Sequence, residues 1–194
     1  MILYFKNLKI FKMPNYYSIV HACIQTALVL PDVWKTPPWE IPIDVMLTHT
    51  SFKIIFAHCL FFTYISFDCI TNKSKLSIEE WAHHVLTFIG LGVSLYTGPH
   101  YIGYLFLINE VSTIFLHLRR IVPTATLQFM CKICFFITFT IFRMGFNGYL
   151  MYWTMKHIGF GIQLLFQVLT YCINLYWYRK ILYIIKAYII KYEL

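Results

Sequence analysis

The chain is short of charge and of chain-breaking residues. Of its 194 residues only 12% are charged, and Gly (8) and Pro (7) are both scarce. Charges make up about a quarter of an ordinary soluble domain and a larger share of a disordered tail, so neither description fits. Collagen-like, low-complexity and propeller architectures need more Gly and Pro than this. There is no Gly-rich phosphate loop, nucleophile elbow or H-E-x-x-H helix, so the templates of soluble enzymes do not apply. The six cysteines (23, 59, 69, 131, 134 and 172) lie in or beside apolar runs, where cysteine behaves as a small apolar residue, and they imply no disulfide framework. Cys131 and Cys134 form a C-x-x-C pair, but no second Cys/His pair at zinc spacing accompanies it, so no metal site is expected.

What the chain has in quantity is apolar and aromatic surface. Apolar residues reach 59%, Phe and Tyr number 18 and 15, and the mean hydropathy is +0.64, which points to lipid as the solvent. A helical crossing takes about 20 mostly apolar residues. Six stretches approach that length: 16–30, 50–70, 81–97, 100–118, 127–153 and 157–178. Pro31, Pro37, Pro38 and Pro42 close the first stretch and fill the loop after it. The run 72–77 is polar, Gly98-Pro99 is a turn pair, and Arg119-Arg120 with Pro123 ends the fourth stretch. The expected fold is an all-α polytopic membrane helix bundle of about six transmembrane helices. It divides into an N-terminal segment 1–49, a transmembrane domain 50–180 and a basic tail 181–194.

Positive charge supplies an independent check on this topology. With six crossings, one side receives Lys6, Lys9, Lys12, Lys73, Lys75, Arg119, Arg120, Arg179, Lys180, Lys186 and Lys191, and the other only Lys35 and Lys156. Lys53, Lys132 and Arg143 fall within spans. An eleven-to-two split places both termini in the cytosol. The net charge of +8 is therefore topological, and no nucleic-acid partner is expected, because the charge is dispersed over loops rather than gathered on one face. Three lysines precede the first apolar run without a small-residue cleavage site, so the N-terminal segment reads as retained. The closing Lys191-Tyr192-Glu193-Leu194 resembles a retrieval signal for the endoplasmic reticulum, but this topology leaves it on the wrong side for that receptor.

Polar groups inside the spans mark the faces that turn inward, because a charge at mid-bilayer costs roughly 2.5–3.5 kcal/mol on insertion scales. His83, Thr87, Gly90 and Ser94 form one stripe behind the adjoining His84, and Glu110, Thr113 and His117 form a second, with Asn109 and Ser112 beside it. Lys132, Arg143 and Asn147 mark the fifth span, and Gln163, Gln167, Thr170 and Asn174 the sixth. Asp68 stands near the end of the second. Four consecutive polar stripes suggest a shared hydrated interior open at its cytosolic mouth, where an amphiphile enters head first. Against this, Ser, Thr, Asn and Gln in spans often serve only as interhelical glue. Glu110 and Arg143 would then merely neutralise each other. His21 with Gln25, and His58, read as ordinary polar contacts.

Taken in order, several of these residues resemble a known family. His83-His84 opens a span, Asn109-Glu110-Val111-Ser112-Thr113-Ile114-Phe115-Leu116-His117-Leu118-Arg119 follows, and Arg143 lies inside the next span. Over residues 50–180 this is similar to the TLC-domain family, mainly polytopic proteins of the endoplasmic reticulum that include ceramide synthases, translocation-associated proteins and lipid-homeostasis proteins. Ceramide synthases carry residues like His83-His84 and Thr87, but also a His-Asp-x-x-Asp cluster where this chain has Asn109-Glu110. Family members with a Glu-x-Ser-Thr/Ser-Pro-Phe motif have Pro at the position of Ile114.

The resemblance implies handling of an amphiphilic membrane lipid in lipid homeostasis, in the endoplasmic reticulum or a host-cell internal membrane. Asp68, Thr87, Ser94, Asn109, Ser112, Thr113, His117, Asn147, Gln163, Gln167 and Asn174 are the expected binding residues. An alternative is N-acyl transfer from acyl-CoA to a sphingoid amine, with acyl-CoA as co-substrate and no other cofactor. His83 or His84 would then be the base, Arg143 or His117 the charge stabiliser and Glu110 the group orienting an imidazole. A second alternative is the escort or insertion of membrane proteins.

Overall fold

The computed structural model describes residues 16–73 and 76–193, with side chains through residue 187. Lys6, Lys9, Lys12, Lys75, Lys191 and the last residue, Leu194, bear on the charge count or the terminal signal and lie outside these described backbones or side chains. So does any extension of the first span before Pro14.

The described residues are helical, with no strand among them. We number the helices α1 (Tyr16–Lys35), α2 (Ile43–Thr48), α3 (Phe52–Thr71), α4 (Ile78–Thr97), α5 (His100–Phe106), α6 (Glu110–Leu118), α7 (Ala125–Thr138), α8 (Asn147–His157) and α9 (Ile162–Glu193). A 3-10 turn, Leu107–Asn109, joins α5 to α6, and a π-helix, Phe139–Phe146, joins α7 to α8. The result is six long rods at the six expected places. Phe52–Thr71, His100–Leu118 and Ala125–His157 are long and apolar enough to cross a membrane by length and composition alone. The other three rods hold 20, 20 and 32 residues. At a rise of 1.5 Å per residue, 20 residues cover about 30 Å, the thickness of the hydrocarbon core.

Beside an apolar core that includes Ile54, Ile102, Tyr104 and Leu150, two rods turn polar groups inward and apolar groups outward. On α4, Val85, Phe88, Ile89 and Tyr96 are exposed while Ser94 is fully buried. On α9, Leu165, Val168 and Leu169 face out while Gln163, Gln167, Thr170 and Asn174 are buried. Such inverted amphipathicity is what a lipid solvent requires, since the outer face then meets hydrocarbon and the inner face satisfies its own polar groups. The packing pairs α1 with α6, α4 with α9 and α6 with α7, and the short α2 seats Met46 against α5.

Two boundaries differ from the sequence reading. Pro31 does not end the first rod, because α1 continues through it to Lys35. A proline there removes one backbone hydrogen bond. The turn beyond it is held instead by Asp32, whose Oδ2 accepts from Lys53 Nζ at 2.7 Å and from Tyr104 Oη at 2.7 Å, while the same hydroxyl lies 2.6 Å from the Leu28 carbonyl. The Pro-rich loop also contains α2, too short for its periodicity to show. At the other end, α9 runs on through Glu193, so Lys180 and Lys186 lie on the same rod as the sixth span.

Where α4 meets α5 the chain turns tightly. Gly98 adopts φ 105°, a left-handed conformation that closes α4, and Ser94 Oγ donates to the Pro99 carbonyl at 2.7 Å. One turn later the backbone of Gly103 lies against α3 and α4. A Cβ there would sit 2.6 Å from Ser94 Oγ and 2.8 Å from His58 Nε2. At the opposite end of α4, Ser77 and Glu80 form a capping box. Beside it Glu79 accepts from Lys180 Nζ at 3.1 Å and Tyr176 Oη at 3.0 Å, fastening α4 to α9.

Gly103→Ala is expected to lower the thermal unfolding midpoint of the detergent-solubilised protein, with an overpacking cost of about 1–3 kcal/mol. Glu79 precedes the apolar span 81–97. Its own backbone amide, together with Lys180, Ser77 and Tyr176, holds its carboxyl at about 2 against an ordinary 4.5. A depressed carboxylate stabilises the fold above the unfolded value and loses that contribution as pH falls through the folded value. Glu79→Gln should therefore lower the midpoint by about 1–2 °C at pH 7, a difference that shrinks below pH 4.5 and vanishes near pH 2.

Candidate functional site

Arg143 lies in the π-helix at the centre of the bundle and is only 6% exposed. Its Nε donates to Ser112 Oγ at 2.8 Å, its Nη2 to Thr113 Oγ1 at 3.0 Å and its Nη1 to Asn174 Oδ1 at 3.5 Å, and the guanidinium stands 5.5 Å from the Phe139 ring. No ion pair joins it to Glu110 among the described residues. The simple neutralising pair is thus replaced by a cation held by neutral oxygens from two other helices and by an aromatic face. Ser112 is fixed in turn by donating to the Asn109 carbonyl at 2.8 Å.

The arginine borders a cavity of about 50 Å³ between α4, α5, α6 and α9. Its polar wall consists of His83 and Thr87 from α4, Asn109 and Glu110 at the start of α6, Arg143, and Gln163, Gln167 and Thr170 from α9. The apolar wall includes Phe61, Phe106 and Phe166. His83, Glu110 and Arg143, distant from one another in sequence, therefore share one hollow. Several of its polar atoms have no hydrogen-bond partner: Glu110 Oε2, Gln163 Oε1, Asn109 Oδ1 and both polar atoms of the Gln167 amide. Buried groups of this kind call for a water or a ligand.

The remaining candidates fall into two groups. Ser112, Thr113, Asn147 and Asn174 stand behind the wall: three of them hold the guanidinium, and Asn147 Oδ1 accepts from Asn109 Nδ2 at 3.3 Å. Asp68, His84, His117 and Ser94 are not on the cavity wall. Asp68 Oδ2 meets His84 Nε2 at 3.0 Å and its Oδ1 accepts from Asn72 Nδ2 at 2.7 Å. The carboxylate that touches an imidazole is thus Asp68, on His84. His83 instead packs its ring against Trp177 at 5.0 Å, with Thr87 Oγ1 3.5 Å from its Nδ1. His117 lies within electrostatic reach of Asp68, Arg119 and Arg120 at the same end of the bundle. In the turn beyond, burial and the adjoining Arg119 bring Arg120 down to about 10. Ser94 serves the turn at Pro99.

Lys132 does not join the inward face of its rod. It is exposed, and the only buried residue of α7 is Cys131. The stripe linking Lys132 to Arg143 presumes uniform helical pitch, whereas the π-helix inserts a wider turn between them and rotates the two halves out of phase. Sequence periodicity also passes over a second polar cluster. His21 stacks on Tyr64 with ring centroids 4.0 Å apart, and the Tyr64 hydroxyl lies 3.0 Å from Ser18 Oγ. The signal was the spacing of Ser18, His21 and Gln25 along one face of α1, all of them buried. Among the described residues no group of three or more His, Cys, Asp or Glu is placed to share a metal ion.

The family model described as the TLC domain matches residues 14–183. No curated protein and no solved structure matches the chain. The match covers α1 as well as the expected 50–180, in keeping with the packing of α1 on α6 beside the site.

If Arg143 is held as the geometry indicates, Ser112→Ala and Thr113→Val should each destabilise the solubilised protein by about 1.5–3 kcal/mol, the worth of a hydrogen bond to a charged group. Thermal unfolding of the two variants reads this directly. An unchanged midpoint in both would mean that the guanidinium is anchored elsewhere.

Proposed function

This chain belongs to the TLC-domain family, and from that premise we propose that it binds an amphiphilic lipid, taking the polar head into the Arg143 cavity, as part of membrane lipid homeostasis. The observation that carries this reading is the shared cavity: His83, Glu110 and Arg143 come from three different rods and meet around one hollow with a phenyl-rich wall. An interior built only for helix association would close such groups on one another, yet here five polar atoms of residues that line the hollow have no partner. The eleven-to-two distribution of basic residues supports cytosolic termini. The end of the bundle carrying Asp68, His84 and His117 is then the cytosolic mouth, and an internal membrane such as the endoplasmic reticulum is its setting.

A second reading, N-acyl transfer, is favoured by one specific feature: His83 and Arg143 border the same cavity. In that reaction His83 would take a proton from the amine as its nitrogen attacks the thioester carbonyl of acyl-CoA. Arg143 would stabilise the oxyanion, and the thiol would leave with the proton. His84, engaged with Asp68, would position rather than react. The escort of membrane proteins has no feature of its own in the cavity.

The test is to extract and weigh the lipid that co-purifies with the full chain, for wild type and for Thr170→Phe, which fills the cavity from α9. Enrichment of one lipid class over the bulk membrane, falling at least about fivefold in the variant, is the expected result. Amide product formed from a long-chain base and acyl-CoA by wild type, and lost in His83→Ala, would establish the enzyme instead. Protein clients without enriched lipid would turn the assignment to an escort role.

A further inference from the structure

We propose that the alkyl chain of the ligand leaves the cavity sideways, through the seam between α4 and α9, with Leu86 and Thr87 on one side of the opening and Phe166 and Thr170 on the other. This rests on the lipid-binding reading above and adds to it the place of the chain and the direction of loading, from within the bilayer.

Size requires some such exit. A cavity of about 50 Å³ has room for roughly three to five water-sized groups. A membrane lipid carries far more carbon than that, so whatever part of it lodges beside Arg143, most of its chain lies outside. The cavity is only partly enclosed, and the surface it offers is mostly apolar, which suits the start of a chain.

Two of the ways out are unsuited to a chain. At the floor, Leu91 and Leu107 are 4% and 2% exposed, and beyond Gly103 there is no space even for a methyl group, since a Cβ there would meet Ser94 Oγ at 2.6 Å and His58 Nε2 at 2.8 Å. The opposite end carries Asp68 against His84 at 3.0 Å, and a chain laid over that pair would strip water from it. The remaining way is the seam. Phe61, Glu110, Arg143, Gln167 and Thr170 line the cavity and are buried, whereas Leu86, Thr87 and Gly90 of α4 line it and are partly exposed, as is Phe166 on α9. Phe106 and Asn109 are partly exposed too, but Phe106 packs on the apolar core and Asn109 Nδ2 donates to Asn147.

The seam is closed on either side of this opening and untied across it. α4 and α9 run antiparallel. Toward the start of α4, the bonds from Lys180 and Tyr176 to Glu79 are followed by the His83 ring, 5.0 Å from that of Trp177. Further along, Gly90 lets α9 come close, and a Cβ there would lie 3.2 Å from Phe166 Cβ. Between these two closures no hydrogen bond or ring contact joins the helices among the described residues. Outside the opening, Phe88 and Ile89 of α4 and Val168 and Leu169 of α9 are exposed, and in a bilayer such a face meets hydrocarbon. A chain passing here exchanges one apolar surrounding for another.

The experiment is photolabelling of the full chain. Lipids are extracted from cells fed a palmitic acid that bears a diazirine at mid-chain, which carries the probe into many acyl-lipid classes, and purified protein is reconstituted into vesicles containing a rising share of that extract. Label on Leu86, Thr87 and Thr170 is expected to saturate, while label on the outer residues Phe88 and Ile89 rises in proportion to the probe. Leu91 and Leu107 are expected to be spared. In the double variant Gly90→Cys/Phe166→Cys the two Cβ positions stand 3.2 Å apart, a few tenths short of the disulfide range of about 3.5–4.5 Å, so oxidation staples the seam after a small shift. Oxidised before reconstitution, this variant should lose the saturable label by at least about fivefold and regain it with dithiothreitol. Saturable label on Leu91 or Leu107 instead, or equal labelling of the oxidised and reduced variant, would overturn the route while leaving lipid binding standing. Label that rises in proportion at every position, with no saturable site, would remove the lipid-binding reading itself and this route with it. The wild-type pattern decides between seam and floor even where the variant fails to fold.

Discussion

A guanidinium buried at mid-bundle constrains everything around it. A guanidinium keeps its proton under conditions where a carboxyl or an imidazole titrates, and this one is only 6% exposed. Its donors must therefore be met from within. Ser112 and Thr113 meet them from α6 and Asn174 from α9, with Phe139 supplying an aromatic face on its own helix. Three rods are thereby drawn to one point. Glu110 is left beside that point instead of being consumed by it, so the carboxyl that would have closed the interior lines a hollow.

The backbone departs from the α-helix at the two places where this arrangement is made. The 3-10 turn Leu107–Asn109 delivers Asn109 and Glu110 to the cavity, and the π-helix Phe139–Phe146 carries Arg143 at its centre. Uniform helices would space their inward residues by fixed rotation, and these short irregular segments re-aim them. Such segments are uncommon and recur at functional sites because they persist only where surrounding contacts hold them. Here those contacts are the arginine's own hydrogen bonds, so the local backbone and the site's chemistry depend on each other.

Away from the cavity, the two ends of the bundle are fastened differently. At one end Asp32, Lys53 and Tyr104 tie α1, α3 and α5 together around the turn that Pro31 weakens. At the other, Asp68 grips His84, and Glu79 holds Lys180 and Tyr176 across to α9. Between them Arg143 ties α6 to α9, and Gln163 and Gln167 of α9 line the hollow beside it. A bundle clamped at its ends and hollow between them suits the holding of a small polar head with its chain among phenyl groups, and the family membership agrees with a protein that works inside the bilayer.

Much of this was legible in the chain itself. The six rods followed from lengths of apolar sequence, because hydrocarbon imposes one length on every crossing. The inward faces of α4, α6 and α9 followed from polar residues recurring at helical spacing, because nothing else in an apolar segment tolerates them. The order of His83-His84, Asn109 to His117 and Arg143 pointed to the family. What periodicity alone could not reach was whatever depends on a break in periodicity or on the relation between rods. Spacing alone puts Lys132 on the face of Arg143 because a π-helix leaves no mark in it, and Pro31 looks like a stop because its compensating contacts come from Lys53 and Tyr104, distant in sequence. Whether Glu110 paired with Arg143 or stood free of it was likewise a matter of three-dimensional position. Sequence fixes which groups must be hidden from lipid, since that is a property of each residue and its solvent. Only the tertiary packing decides which hidden groups meet and which are left facing a cavity, since that depends on distances between helices that no single helix encodes.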